Sequence, residues 1–189
     1  MKSLWAPWRL PYLKGKKPDH CIFCVGDGPR NGRPPALRSN DRRRYILHRN
    51  RLTFVIMNAF PYSNGHLMVA PYRHVANLGG LTFEEMGELL ASTQLAISVL
   101  GSVYHPDGFN VGINLGKAAG AGIEAHLHVH IVPRWNGDTN FMSTVADTRV
   151  IPESLDHAYK QLLPAFIKFG GRGRISPRSP HGRTRSKRT

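Results

Sequence analysis

A chain of 189 residues is long enough for one globular domain with a sizeable core, and too short for two ordinary domains together with its basic end. Hydrophobic residues make up 41% of it, yet no run approaches the roughly 18 apolar residues that cross a bilayer, and Pro7 and Arg9 break the start as a signal peptide; the expectation is a soluble, cytoplasmic protein. The formal charge of +14 is uneven, because seven of the 26 Lys and Arg fall in residues 170–189, which hold no acid, leaving 19 basic against 12 acidic residues in a body that suits a phosphate-bearing small molecule as well as a polymer.

In chain order, residues 1–20 hold Trp5, Trp8 and Tyr12 among Pro7, Pro11 and Pro18. This aromatic arm has neither helical nor strand period and must pack on the body or on a second subunit to hide its rings. Cys21 and Cys24, the only cysteines, form a C-x-x-C pair, too few for a disulfide framework and suited to metal or redox use in a reducing compartment. Gly and Pro dominate 25–41, which reads as a loop. Three short apolar or β-branched runs follow at 44–48, 53–57 and 66–70, separated by turn residues such as Asn50, Pro61, Asn64 and Gly65, the pattern of an antiparallel meander.

Thr82 with Glu85 makes a capping box, and Phe83, Met86, Leu89, Leu90, Thr93, Ile97, Leu100 and Tyr104 recur at helical spacing, which predicts a long amphipathic helix over 83–103. Segments 109–115 and 125–133 read as further strands joined by a glycine-rich connection. Pro152 opens a last helical segment that Pro164 limits or kinks. The expected class is α+β, an antiparallel meander sheet of about five strands with one long helix and a C-terminal helix. The expected division is the arm 1–20, a domain 21–169 and a disordered basic tail 170–189 in weak, salt-sensitive contact with nucleic acid at most.

The most informative stretch is His126-Leu127-His128-Val129-His130. On a strand every ring of this row lies on one face, with neighbouring rings rooted about 7 Å apart and the outer two about 13 Å apart. One tetrahedral metal cannot comfortably gather all three, so at least one ring is free for chemistry. Just ahead, Gly116-Lys117-Ala118-Ala119-Gly120-Ala121-Gly122 offers backbone N–H groups and a lysine to an anion. A strand follows it instead of a helix N-terminus, which excludes a dinucleotide fingerprint. Imidazole can attack phosphorus and leave again, given a neutral ring nitrogen, a fixed acceptor for the other nitrogen and donors for the phosphate oxygens. His128, with His130 beside it, meets these needs.

The row His-φ-His-φ-His-φ-φ resembles the signature of the histidine-triad (HIT) family. The resemblance continues in 58–66, similar to that family's ribose-binding strand and turn, in Pro133-Arg134-Trp135 and 137–142, and in Leu4-Trp5-Ala6-Pro7-Trp8-Arg9, which looks like a bacterial branch related to diadenosine tetraphosphate phosphorylases. It covers roughly residues 3–168. The resemblance implies a homodimeric enzyme that hydrolyses or phosphorolyses dinucleoside polyphosphates, with His128 transiently nucleotidylated. It further implies that His130 contacts the α-phosphate and leaving side, Asn58 binds ribose, and Asn114 with Gly120, Ala121, Gly122 and Ile123 holds phosphate oxygens.

The phosphoramidase branch carries a serine three positions before the first triad histidine, where this chain has Ile123, which argues against phosphoramidate as the preferred substrate. The cysteine pair follows a Pro- and Lys-rich arm instead of opening a helix, so zinc suits it better than redox chemistry. The resemblance implies that His74 and His126 complete the site with Cys21 and Cys24, and His20 is a spare candidate. Rival readings are a purine nucleoside phosphoramidase, a nucleotide- or RNA-binding regulatory module with little turnover, and a metal hydrolase that uses the histidine row as zinc ligands.

Overall fold

The computed structural model describes residues 21–25, 36–138 and 153–170. The aromatic arm, His20, residues 139–142, Pro152 and the basic end past Gly170 lie outside the described residues.

Five antiparallel strands form one sheet in the order β1-β2-β3-β5-β4: β1 (Ile46–Arg49), β2 (Thr53–Met57), β3 (Leu67–Pro71), β4 (Gly108–Ile113) and β5 (Val129–Arg134). Among the described residues two α-helices accompany it, α1 (Phe83–Tyr104) and α2 (Leu155–Gly170). The α+β class expected from the sequence is the one observed. The two-residue period of the strands sorts their side chains onto two faces. Leu47, Val55, Met57, Leu67, Val69, Leu127, Val129 and Ile131 meet Leu89, Ala96, Val99 and Leu100 of α1 and Leu162 and Phe166 of α2 in the main core. The opposite face carries Ile46, Phe54, Ile56, Met68 and Ala70, covered by Phe23 and Val25. Met68 pairs with His130 across β3 and β5, so this second face is the histidine face.

Several boundaries shift for local reasons. Arg44 lies in a turn and not in a strand; Tyr45, at φ 56°, occupies the left-handed region, and β1 starts only after it. The capping box forms as predicted, with the Glu85 amide donating to Thr82 Oγ1 at 3.2 Å and the Thr82 amide donating to Glu85 Oε2 at 2.8 Å. The predicted apolar stripe on α1 is only partly the buried one: Phe83 and Leu90 stand in solvent, while Leu89, Ser92, Thr93, Ala96, Val99 and Leu100 face inward. By length and mean hydropathy (1.3) α1 would suffice to cross a membrane, but its inward face is packed on the sheet. Helix α2 begins at Leu155, where Ser154 Oγ accepts the His157 amide at 3.3 Å, and it continues through Pro164 without ending there.

The last strand departs most usefully from expectation, because it starts at Val129, leaving His126 and His128 ahead of the ladder. The β3–β5 register ends at the Val69–Val129 pair. Farther along β3, Pro71 brings no N–H to extend it, and its carbonyl accepts instead from the ring Nε2 of His126 at 2.9 Å. On the other side β4 ends at Ile113, opposite Val129, as the chain turns into the glycine loop. The alternation of faces nevertheless persists: Leu127 joins the helix-side core, and His126 and His128 remain with His130.

Candidate functional site

The three histidines of the row do three different things. His126 is fully buried and turned away from its neighbours, with Nε2–H donating to Pro71 O and Nδ1 facing Cys21 Sγ at 3.4 Å and Cys24 Sγ at 3.9 Å. Cys24 Sγ lies 3.3 Å from His74 Nδ1. The four ligand atoms of Cys21, Cys24, His74 and His126 all fall within 4.8 Å of one another. A tetrahedral ion with Zn–S near 2.3 Å and Zn–N near 2.0–2.1 Å has S···N edges of roughly 3.6 Å, so this donor set fits such an ion without rearrangement. The Nε2–H···O=C bond fixes the His126 tautomer that leaves Nδ1 unprotonated for a metal.

His128 is held differently. Its Nδ1 lies 2.8 Å from the main-chain oxygen of His126, which can only accept, so Nδ1 carries the proton and Nε2 the lone pair. Burial lowers its pKa from 6.5, against the raising effect of that carbonyl, and keeps the ring neutral at physiological pH. The ring centroids of His128 and His130 are 4.7 Å apart in an edge-on arrangement, closer than the spacing of their roots because the side chains lean together.

His130 is wired through His66, a residue outside the triad motif. Nδ1 of His66 receives the Tyr62 main-chain N–H at 3.0 Å, with Asn58 Nδ2 at 3.3 Å, so this nitrogen accepts. Its Nε2 then carries the proton and donates to His130 Nδ1 at 3.0 Å. The proton of His130 is thereby fixed on Nε2, a buried donor with no protein partner among the described residues. Burial first, then the neighbouring imidazoles, pulls His66 down to about 3, while burial followed by His128 pulls His130 down to about 4. The signal that could have found His66 is its place two residues before Met68, the cross-strand partner of His130.

The remaining expected site residues are arranged around this centre with some differences. Asn58 closes the β2–β3 turn, its amide donating to His66 O at 3.0 Å and its Oδ1 accepting from Phe60 N at 2.9 Å. Asn114 lies one position beyond the Ile113–Val129 pair. In the glycine loop, Gly116 and Gly120 take positive φ and a single 3-10 turn forms between them. Gly120 N–H donates to Lys117 O at 3.0 Å and Ala121 N–H to Gly116 O at 3.4 Å, so two of the amides expected to face phosphate are used inside the turn. Ile123 packs against the apolar cluster on the histidine face and brings no hydroxyl there.

The HIT domain family model matches residues 40–137. The chain is 42% identical over 174 residues to an AP-4-A phosphorylase of Mycobacterium tuberculosis, covering 89% of this chain and 86% of that protein. It is 38% identical over 93 residues to a bis(5'-adenosyl)-triphosphatase of Dictyostelium discoideum, covering 49% and 62% of the two chains. Among solved structures, a Zn-bound histidine triad family protein from Mycobacterium smegmatis superposes with a TM-score of 0.58 at 26% identity, covering 80% of this chain and 96% of that one. With its profile match, its relatives and its triad on the sheet face opposite the helices, the chain belongs to the HIT domain family.

Proposed function

We propose that this protein cleaves dinucleoside polyphosphates by way of a nucleotidyl-histidine intermediate on His128. The observation that carries the reading is the pair of fixed tautomers: a lone pair on His128 Nε2 and, on the adjacent ring, a His130 Nε2–H with no partner among the described residues. The relatives named as an AP-4-A phosphorylase and a bis(5'-adenosyl)-triphosphatase support the substrate class.

In the first displacement His128 Nε2 attacks the α-phosphorus, a P–N bond forms, and the P–O bond to the departing nucleoside polyphosphate breaks. His130 Nε2–H donates to the oxygen on which charge develops, and its neutral state at pH 7 costs no proton uptake. Phosphate or water then attacks the same phosphorus, a new P–O bond forms as the P–N bond breaks, His128 returns neutral, and the proton of an attacking water passes to solvent. Asn58 is assigned to the ribose and Asn114 with residues 120–123 to phosphate oxygens. The amides of Gly120 and Ala121 take part only when the 3-10 turn opens around the substrate. A phosphate leaving group needs no strong acid, which agrees with the absence of a hydroxyl at Ile123.

Cys21, Cys24, His74 and His126 are assigned to a structural zinc ion, supported by the tetrahedral fit of the donor atoms. Bound there, zinc would supply a cross-link between the 21–24 loop and the sheet. Thiolates kept as ligands suit a reducing, cytoplasmic setting. The edge strand β4, with Val111 open to solvent, and the exposed Leu115 just past its end support a homodimer.

Incubation with diadenosine tetraphosphate, with and without phosphate, tests the reading. ADP plus ATP marks phosphorolysis, and AMP plus ATP marks asymmetric hydrolysis. His128→Ala is expected to lower turnover by roughly a thousandfold or more. No turnover by the unaltered protein, or no effect of that substitution, removes the reading.

A further inference from the structure

We propose that Phe23 is a positioning residue for His128, and that the 21–24 loop, closed on its metal ion, is the device that holds the Phe23 ring in place. The inference rests on the reading of His128 as nucleophile and extends it to residues that touch neither substrate nor phosphorus.

Phe23 lies between the two cysteines and is almost completely buried, at 1% exposure. Its ring centroid is 4.7 Å from that of His128, at an interplanar angle of 33°, and 5.3 Å from that of His126. His128 thus has an aromatic plane against it on one side and the His130 ring edge-on at 4.7 Å. The two restraints are complementary. The hydrogen bond to His126 O selects which nitrogen bears the proton, but the second side-chain torsion of histidine is broad and roughly two-fold, so a ring held only at one nitrogen can still swing or flip. A flat neighbour limits the swing of the ring out of its plane and so keeps Nδ1 on the His126 carbonyl, the contact that aims Nε2 one way.

Both restraints come from the segments that carry the four candidate ligands. His126 places its ring among the ligand atoms and its carbonyl on His128. The described loop is held by two local hydrogen bonds, Cys24 N–H to Cys21 O at 3.1 Å and Val25 N–H to Phe23 O at 2.8 Å, and by the contacts of its thiols with His126 and His74. An ion shared by these four side chains pins the loop at both ends of the Ile22-Phe23 pair. Phe23 also packs beside Phe54, Ile56 and Met68, and a role confined to filling that cluster makes a different prediction.

The test uses the full chain, zinc-loaded and labelled with 15N-histidine, at a pH above histidine titration, where long-range 1H–15N spectra report which nitrogen of His128 carries the proton. The unaltered protein is expected to show the Nδ1–H form alone. Phe23→Ala, with zinc still bound by metal analysis, is expected to show both tautomers, with kcat about tenfold lower and KM within about twofold of the parent. Phe23→Leu, which keeps the cluster filled but offers no flat face, is expected to shift in the same direction, and it stands in if the alanine variant loses metal or fold. Removing zinc from the unaltered protein is expected to mix the tautomers while the sheet signal in circular dichroism persists. A single Nδ1–H signal and parental kcat in the leucine variant, or in the zinc-loaded alanine variant, overturns the role of Phe23. An unchanged His128 signal after zinc removal overturns the role of the metal. If the unaltered protein forms no nucleotidyl-histidine, the catalytic reading fails, and the tautomer spectra still decide how His128 is held.

Discussion

His66 determines what His130 can offer a substrate. The Tyr62 amide proton occupies Nδ1 of His66, which commits Nε2 to donate and passes the same choice to His130. Replacing His66 by leucine removes the donor and frees His130 to take the other tautomer, with its lone pair where its proton should be. The expected result in steady-state kinetics is a loss of kcat of about a hundredfold, with much less change in KM. A variant with kcat intact would show that His130 selects its tautomer without His66. Of this chain of proton positions the sequence displayed only the triad. His66 lies 64 residues earlier, and its relevance depends on the pairing of β3 with β5 and on a main-chain amide that no side-chain pattern advertises.

At the scale of elements, the histidine face depends on a correctly seated β1–β2 hairpin, and a buried ion pair anchors it. Arg49 at the end of β1 bonds Asp41 through Nε at 2.8 Å and Nη2 at 2.6 Å, with side chains only 1% and 3% exposed. Asp41 Oδ2 also accepts the Arg38 amide at 2.8 Å, which shapes the turn before Tyr45. Asp41→Ala leaves the guanidinium buried without a counter-charge, at an expected cost of roughly 3–5 kcal/mol in urea unfolding. A loss below about 1 kcal/mol would mean that water reaches Arg49. At the opposite edge β4 pairs with β5 on one side and has no partner strand on the other among the described residues, and Val111→Lys places a charge in its middle. Sedimentation is expected to give a dimer for the parent chain and a monomer for this variant. Element identity was legible in the sequence wherever a strong local signal existed, as with the Thr82–Glu85 box. Element ends were not, because the start of β5 depends on Pro71, a residue of another strand.

Across the whole molecule, burying several neutral imidazoles links folding to pH. His66 at about 3 and His130 at about 4 are both displaced below the ordinary value of 6.5, chiefly by burial. Below 6.5 the unfolded chain therefore takes up protons that the folded one refuses, so their contribution to stability is complete above that pH and declines as pH falls toward 4. Urea midpoints are expected to be level from pH 7 to 8 and to drop already between pH 6.5 and 5, above the range in which carboxylates titrate. A flat midpoint over that interval would contradict the burial of these rings.

The amino-acid sequence by itself determined the α+β class, the capped long helix, the two-sided alternation of the histidine row and the suitability of the Cys21–Cys24 pair as metal ligands. All of these follow from local period, capping and ligand chemistry, which act over a few residues. Only the tertiary structure decided which nitrogen of each imidazole holds its proton, that His66 belongs to the site, and that Phe23 lies against His128. Those properties depend on contacts between segments far apart in the chain, and proton placement and ring orientation exist only once the partners have been brought within hydrogen-bonding distance.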